Sequence, residues 1–254
     1  MTSMKKLIAA SLFVLSTGTF APQAAHALDD AQKQEIGDFI KEYLIANPEI
    51  LVEAQKALAA KQVAEQQQAA EAAITKNGKA IFSSEHDITL GNPDGDVTVV
   101  EFFDYNCGYC KRALSDMDAI LESDKNVRFV LKELPILGPD SLAAHKVSAA
   151  FKVLAPEKYG DFHRSLLSSE GRANEETAMA LAVKMGVSDA DIRAKIEAGV
   201  HEAGVREAYS LANDLGISGT PSYVVGSEAV FGAVGVDDLS AKIASVRSCG
   251  KATC

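Results

Sequence analysis

Residues 97–110 read VTVVEFFDYNCGYC, and this stretch decides the fold. The apolar, β-rich run from Val97 to Phe103 predicts a buried strand. Two cysteines, Cys107 and Cys110, follow at once, and a helical pattern begins at Cys107. A second β-rich run at 127–131 completes a strand–helix–strand unit. Because a helix connects them, the two strands are expected to be parallel.

The position of Cys107-x-x-Cys110 at the start of a helix points to redox chemistry. Unpaired N–H groups and the positive end of the helix dipole stabilise a thiolate at Cys107. That thiolate can attack a substrate disulfide, and Cys110, one turn into the helix, is placed to resolve the mixed disulfide. Two alternatives remain open here: a structural disulfide within the motif, and a zinc site completed by Cys249 and Cys254. Zinc fits poorly because the second pair has a loose spacing and lies on a tail, and a structural disulfide that closes so short a loop would add little stability.

The first 27 residues are predicted to be a cleaved signal peptide. Lys5 and Lys6 form a positive region, a mostly apolar stretch runs from Leu7 to Phe20, and Ala25-His26-Ala27 has a small-x-small cleavage pattern. The apolar stretch is shorter than the ~18 residues that a membrane span needs. The predicted location is the periplasm, an oxidising compartment in which disulfides persist.

The acidity of the chain excludes some classes of partner. The formal net charge is -10, and loss of residues 1–27, which hold two lysines and no acids, would make it -12. Nucleic acid and anionic membrane surfaces attract basic proteins, so neither is expected as a partner.

Residues 28–76 predict an N-terminal helical segment with one apolar stripe and too little apolar mass to fold alone. Two interpretations compete. The segment packs on its own domain or stands as a solvated stalk, or it pairs with copies of itself and makes a homo-oligomer, which an unpartnered apolar face favours. Residues 75–84, which contain Asn77-Gly78, are predicted to be a linker. The stripe residues are Ile36, Phe39, Ile40, Tyr43, Leu44, Ile50, Leu51, Ala54 and Leu58.

Residues 77–248 predict an α/β domain interrupted by a purely helical block at about 138–215. Strands resume at 222–225 and 229–231, joined by a hairpin turn, and a last helix precedes the tail at 249–254. The scattered histidines His86, His145, His163 and His201 follow no metal-ligand spacing and are expected to be solvated surface residues. No metal site is predicted.

These features together resemble the DsbA-like thiol–disulfide oxidoreductases of the thioredoxin superfamily. Residues 100–110 look like the active-site strand and helix of that family, Gly219-Thr220-Pro221 resembles its cis-proline loop, and the block at 138–215 matches its helical insertion. The resemblance covers about residues 85–247. It implies a thioredoxin fold with an inserted helical domain, here preceded by an N-terminal helical segment, and an enzyme that exchanges disulfides without a cofactor.

The resemblance also implies roles for single residues. Pro221 would be cis and lie beside Cys107, and the backbone of Thr220 would pair with an extended substrate. Glu101 matches the buried acid of the family and could accept the proton of Cys110. An ordinary trans turn at Pro221 and an outward-facing charge at Glu101 are the alternatives. The implied catalytic residues are Cys107, Cys110, Glu101 and Pro221, and the implied substrate-binding residues are Thr220, Gly108 and Tyr109.

Departures from the family indicate the direction of exchange. DsbA has a histidine between its cysteines, whereas this chain has Gly108-Tyr109, so the pKa of Cys107 should fall less far and the protein should be a weaker oxidant. Gly-Tyr in the motif, with Thr220 before the proline, is similar to the isomerase DsbC. The N-terminal segment is similar to that of ScsC-type proteins, which oligomerise. The predicted function is disulfide exchange with isomerase or reductase bias. The alternatives are a dedicated DsbA-type oxidase and a copper-binding or chaperone-like protein.

Cys249 and Cys254 are expected to form a small structural disulfide, with an accessory redox pair or soft-metal ligands as alternatives. The predicted partners are unfolded or misoxidised exported proteins, a membrane redox partner protein and further copies of the chain.

Overall fold

A computed structural model describes residues 28–254 of the chain, and they divide into two units, one ending at Ala57 and the other running from Leu58 to Cys254. The predicted signal peptide and cleavage site lie at residues 1–27, outside the described residues. None of the helices within residues 28–254 has both the length and the apolar content that a bilayer crossing requires.

The first unit is helical and starts with a complete N-terminal cap on α1 (Asp30–Ala46). Asp29 accepts a hydrogen bond from the backbone N–H of Gln32 at 2.8 Å, and the Gln32 side chain accepts one from the N–H of Asp29 at 3.1 Å. The first turns of α2 (Glu49–Phe82), up to Ala57, complete the unit. Within α1 no residue is buried. Its exposed large apolar side chains are Ile36, Phe39, Ile40, Tyr43 and Ile45.

The segment predicted as a linker at 75–84 is helical as far as Phe82 rather than irregular. The helical run is interrupted by a kink at Asn77, whose φ is -106° and ψ is 16°, and this kink lies beside the predicted boundary at 76/77. Ile74 and Ile81, on either side of the kink, are both buried in the second unit. The Asn77-Gly78 signal therefore marks a break between two helical stretches rather than a long linker.

The second unit is built on a five-stranded mixed sheet with the order β1-β3-β2-β4-β5. β2 and β3 run parallel, as the strand–helix–strand pattern predicts, and every other neighbouring pair is antiparallel. The short edge strand β1 was not predicted, since its four residues give too little pattern. The strands are β1 (Ile88–Gly91), β2 (Val97–Phe103), β3 (Val127–Glu133), β4 (Ser222–Val225) and β5 (Glu228–Phe231).

Seven further helices surround this sheet. α3 connects β2 to β3, and five consecutive helices between β3 and β4 form the inserted block that the sequence predicts at about 138–215. The helices are α3 (Gly108–Ser123), α4 (Pro139–Leu154), α5 (Tyr159–Leu167), α6 (Glu175–Lys184), α7 (Asp189–Glu197), α8 (Glu202–Asp214) and α9 (Val236–Cys249). The fold is therefore α/β, a thioredoxin fold with an inserted helical domain, preceded in the chain by an N-terminal helical segment.

The alternation of β2 divides its side chains between two apolar cores. Val99 and Phe103 enter a core with α3, the inserted helices and α9, and Val100 and Phe102 enter a second core with α2 and α8. Because side chains alternate along a strand, Glu101 shares the face of Val99 and Phe103. This register directs its carboxyl group toward α3, which carries the cysteine motif.

Two of the four histidines expected at the surface, His145 and His163, are buried. His145 Nδ1 lies 2.8 Å from Oε2 of Glu133 at the end of β3. His163 packs edge-on against the Phe103 ring, with ring centroids 4.6 Å apart, and its Nδ1 has no hydrogen-bond partner among the described residues. The expectation that these histidines lie at the surface is wrong, because no local sequence pattern indicates that they contact Glu133 and Phe103.

His163 predicts a loss of stability in acid. Burial lowers its pKa to about 4, with Glu133 and Asp118 opposing the shift and Arg164 adding to it. The unfolded chain binds its proton near pH 6.5, so this group's contribution is fully present above that pH and falls as the pH drops toward 4. The free energy of unfolding in urea should fall from pH 7 to pH 4 in both proteins. The fall should be about 3 kcal/mol smaller for His163→Phe than for the unaltered protein. His86→Asn is the control, and equal losses in all three proteins would contradict the assignment.

Candidate active site

Cys107 caps the N-terminus of α3. Its Sγ accepts a hydrogen bond from the backbone N–H of Cys110 at 3.4 Å, so the sulfur takes the place of a side-chain oxygen cap. Both cysteines are free thiols. Cys107 retains 6% of its accessible surface and Cys110 none, so only Cys107 offers a reagent any access.

The two thiols are shifted in opposite directions. The side-chain hydrogen bond with Cys110 lowers the pKa of Cys107 to about 5, helped by Thr220 and by the N–H groups of Cys110 and Tyr109 and opposed by burial. The same bond raises the pKa of Cys110 well above its usual value, and burial raises it further. Near neutral pH Cys107 is therefore a thiolate and Cys110 a protonated thiol. Thiol–disulfide exchange requires such a thiolate as the attacking group.

The loop before β4 faces Cys107. The Thr220–Pro221 peptide bond is cis, and Cys107 Sγ lies 3.0 Å from the carbonyl oxygen of Thr220. Gly232 N–H donates to the carbonyl of Pro221 at 3.0 Å, which ties the loop to the end of β5. The buried Thr220 hydroxyl makes no other hydrogen bond within the described residues, so it can donate to the Cys107 thiolate, which accounts for the Thr220 contribution to the lowered pKa.

Glu101 lies beneath the motif on β2, directly opposite Tyr223 of β4, and is 3% exposed. Burial raises its pKa to about 8, and the negative charges of Asp116 and Cys107 add to the rise. A carboxyl group with this pKa is mostly protonated at neutral pH and can still release or accept a proton there. Asp116 on α3 is a neighbour that the sequence did not single out.

The loop between β2 and α3 is held by a polar cluster that the sequence did not predict. Asp104 Oδ1 accepts from the N–H of Asn106 and the hydroxyl of Ser141, both at 2.8 Å, and its Oδ2 accepts from the N–H of Leu137 at 2.9 Å. The only local signal is an Asx turn, since Asp104 bonds two residues ahead. The other partners come from the inserted block and the segment before it.

A second buried cluster holds Tyr105 of the same loop. The Glu133 carboxylate accepts from Ser148 at 2.6 Å, Tyr159 at 2.8 Å and His145, and the Tyr105 hydroxyl lies 3.0 Å from Ser148 Oγ. Burial alone would raise the pKa of Glu133, but His145 beside it makes the net shift downward. The inserted block thus anchors the loop that precedes Cys107.

An open groove of about 500 Å³ runs along the cis-proline loop. Tyr109 forms part of it and is 59% exposed, with the Arg112 guanidinium 4.3 Å above its ring centroid. The groove joins two of the predicted substrate-binding residues, Thr220 and Tyr109, whereas Gly108 does not line it. Its lining residues are Gln66, Tyr109, Gly216, Ser218, Gly219, Thr220, Pro221, Ser222, Phe231, Gly232 and Ala233.

Cys249 and Cys254 form a disulfide across the end of α9, with Cα atoms 6.3 Å apart. Ala252 between them is buried in the core, and Thr253 donates to Glu228 of β5 at 2.8 Å. These contacts fix the tail on the β4–β5 hairpin. In the part of the chain that the structure describes, no group of three or more His, Cys, Asp or Glu side chains is arranged to hold a metal ion.

A strand–CxxC–helix crossover, facing a cis-proline loop in a mixed sheet with a helical insertion, defines a thioredoxin-fold thiol–disulfide oxidoreductase. Residues 98–244 match the family model of the DSBA-like thioredoxin domain, and the chain belongs to that family. Residues 32–71 match the copper resistance protein ScsC N-terminal domain. The chain thus combines a DsbA-like enzyme domain with an ScsC-type N-terminal segment.

Solved structures of similar proteins agree with this assignment. A thioredoxin-like oxidoreductase from Silicibacter pomeroyi is 37% identical, with a TM-score of 0.63 over 67% of this chain and 98% of that one. The thiol–disulfide exchange protein α-DsbA2 from Wolbachia pipientis is 28% identical, with a TM-score of 0.66 over 72% and 98% of the two chains. Proteus mirabilis ScsC in a transitional conformation is 27% identical, with a TM-score of 0.61 over 86% and 98%.

The curated relatives are much longer proteins. The Na(+)/H(+) antiporter NhaA 1 of Salinispora arenicola is 27% identical over 167 residues, which are 63% of this chain and 25% of the antiporter. The chain therefore spans about a quarter of the length of the curated relatives it matches.

Proposed function

We propose that this protein exchanges disulfides with exported polypeptides in the periplasm, through Cys107 as nucleophile and Cys110 as resolving thiol. The observation that carries the proposal is the Cys107 thiol, with its pKa lowered to about 5 and its sulfur 3.0 Å from the Thr220 carbonyl of the cis-proline loop. Thiolate character, partial access and a neighbouring resolving thiol are what a catalytic cysteine needs. The predicted signal peptide supports the location.

The reaction uses residues already in place. The Cys107 thiolate attacks one sulfur of a substrate disulfide, the S–S bond breaks, and the other substrate sulfur leaves as a thiolate. Resolution by Cys110 requires that its thiol give a proton to Glu101 and attack Cys107 Sγ. This step releases a reduced substrate and leaves the enzyme oxidised. Alternatively, a second substrate thiol attacks the substrate sulfur of the mixed disulfide and releases Cys107 as a thiolate. The enzyme's redox state and the number of substrate disulfides then stay unchanged, which is isomerisation.

The pKa of Cys107 supports a weaker oxidant than DsbA, and the proposed isomerase or reductase bias rests on the similarity of Gly108-Tyr109 and Thr220 to the isomerase DsbC. The pKa of about 5 lies between ~3.5 for DsbA, a strong oxidant, and ~7 for thioredoxin, a reductant. Hydrogen bonds alone produce this shift, because no histidine stands between the cysteines. In this proposal a membrane redox partner returns the oxidised enzyme to the dithiol form. The redox potential of the 107–110 pair separates this function from that of a dedicated oxidase.

The apolar stripe of α1 supports an oligomer. Phe39 is 65% exposed and Tyr43 50% exposed, and their rings stack with centroids 6.0 Å apart. A helix with such a stripe is stable in water only when a partner covers it. The match of residues 32–71 to the ScsC N-terminal domain favours a second copy of this segment as that partner. Several active sites in one assembly raise the effective concentration of a second site for a bound client, which favours isomerisation.

Phe39→Asp tests the oligomer. A charge in the middle of the stripe should dissociate the assembly to monomers in light scattering at micromolar concentration, while dithiol exchange persists. Isomerisation of a scrambled protein should fall about tenfold or more, because the effective concentration of a second site is lost. Gln34→Asp adds the same charge outside the stripe and should change neither property. An unaltered protein that is already monomeric would refute the oligomer, and undiminished isomerisation by Phe39→Asp would refute its role.

A further inference from the structure

Helix α2 runs beside the edge strand β5. Gln67 Nε2 donates to the carbonyl oxygen of Ala229 on β5 at 3.2 Å, and Ala70, one turn further on, is 1% exposed. This hydrogen bond also covers part of an otherwise open strand edge. The turn of α2 around residue 67 is therefore held against the sheet, with exposed Gln66 next to it.

Gln66 is the one residue of α2 that lines the groove beside the cis-proline loop, among the lining residues named above. Its amide lies near Gly216, with Nε2 3.6 Å from the position that a Cβ would take there. Tyr109 and Thr220 line the same groove. The wall contributed by α2 thus belongs to the cavity that adjoins the nucleophile.

The Gln66 amide is chemically suited to bind an extended polypeptide. A glutamine side chain carries two N–H donors and a carbonyl acceptor, the complement of a peptide backbone. Within the described residues the Gln66 side chain makes no hydrogen bond, whereas the side chain of neighbouring Gln67 donates to Ala229. The amide is therefore free to bond to a ligand in the groove.

We propose that Gln66 is a substrate-binding residue that hydrogen-bonds the backbone of an extended, disulfide-containing polypeptide in this groove. The inference rests on the proposed function and adds a specificity to it. A small disulfide needs only Cys107 and the loop at Thr220, whereas a polypeptide continues along the groove and meets Gln66. Gln66 therefore makes the enzyme prefer polypeptide disulfides over small ones.

The test compares Gln66→Ala with Gln68→Ala, an exposed glutamine of α2 outside the groove. The substrates are a ten-residue peptide with an internal disulfide, carrying a fluorophore and a quencher, and 2-hydroxyethyl disulfide. Loss of one hydrogen bond corresponds to a rise in KM of roughly 3- to 10-fold for the peptide. We expect this rise for Gln66→Ala, with kcat unchanged and 2-hydroxyethyl disulfide exchange unaltered. Gln68→Ala should match the unaltered protein on both substrates.

A binding measurement keeps this inference distinct from the proposed function. Fluorescence anisotropy with the same peptide, its cysteines replaced by serine, should show a 3- to 10-fold higher Kd for Gln66→Ala whether or not exchange occurs. An unchanged Kd and KM would overturn the role of Gln66. Equal losses on the peptide and on 2-hydroxyethyl disulfide would also overturn it, since a specificity residue affects only the peptide. An unaltered protein that exchanges neither disulfide would instead refute the proposed function.

Discussion

Cys107→Ala is expected to abolish dithiol exchange, lowering kcat/KM by roughly 10³-fold or more, because it removes the attacking sulfur. Cys110→Ala should still attack and should accumulate mixed disulfides with substrate, since only the resolving thiol is missing. The asymmetry follows from the structure. Cys107 has the lowered pKa and the residual exposure, and Cys110 is buried and protonated. Non-reducing mass spectrometry of each variant with a scrambled client measures both outcomes.

Alkylation of the reduced protein gives an independent check on the same assignment. With a pKa of about 5, Cys107 should react with iodoacetamide at a rate that rises with pH through 5 and levels off above about pH 6. Cys110 should stay unlabelled in the folded protein. Cys249 and Cys254 stay unlabelled as long as their disulfide remains closed when the 107–110 pair is reduced. Preferential labelling of Cys110 at mildly acidic pH would reverse the proposed roles.

The sequence predicted the strand–CxxC–helix unit, because it is local and carries strong patterns. The apolar run at 97–103 and the cysteine spacing are each read within about ten residues. The approach of Thr220 to Cys107 joins residues 113 positions apart, and there the resemblance to a family supplied the expectation. The order of the strands in the sheet was not predicted. Physical pattern alone left both the cis bond at Pro221 and the orientation of Glu101 open.

The misses share one physical cause, which is that long-range packing overrides a local signal. Asn77-Gly78 has the composition of a turn and does kink the helix at Asn77, but the chain is helical on both sides of the kink, where Ile74 and Ile81 are buried. His145 follows no metal-ligand spacing and was expected at the surface. It is instead buried beside Glu133, twelve positions earlier in the chain. Neither partner can be identified from the local pattern.

Glu101→Gln is expected to slow the enzyme and to stabilise it. With its pKa raised to about 8 by burial and by the charges of Asp116 and Cys107, Glu101 can take the Cys110 proton near neutral pH. Glutamine has the same shape and cannot, so resolution of the mixed disulfide should slow by roughly 10²-fold or more. In the unaltered protein the resolution rate should rise with pH until about 8, as the carboxylate form accumulates. Stopped-flow measurements of resolution at several pH values should show that the variant lacks this rise.

The same shift determines the change in stability. The unfolded chain releases the Glu101 proton near pH 4.5 and the folded chain near pH 8, so the folded state binds more protons between these values and loses stability as the pH rises through them. The loss is about 3 kcal/mol between pH 5 and pH 8. Glu101→Gln should not show it, whereas Glu85→Gln, at an exposed position, should behave like the unaltered protein in urea unfolding. A variant that is slower but no more stable at pH 8 would show that Glu101 is not held protonated by burial. Unchanged resolution would remove it from the catalytic residues.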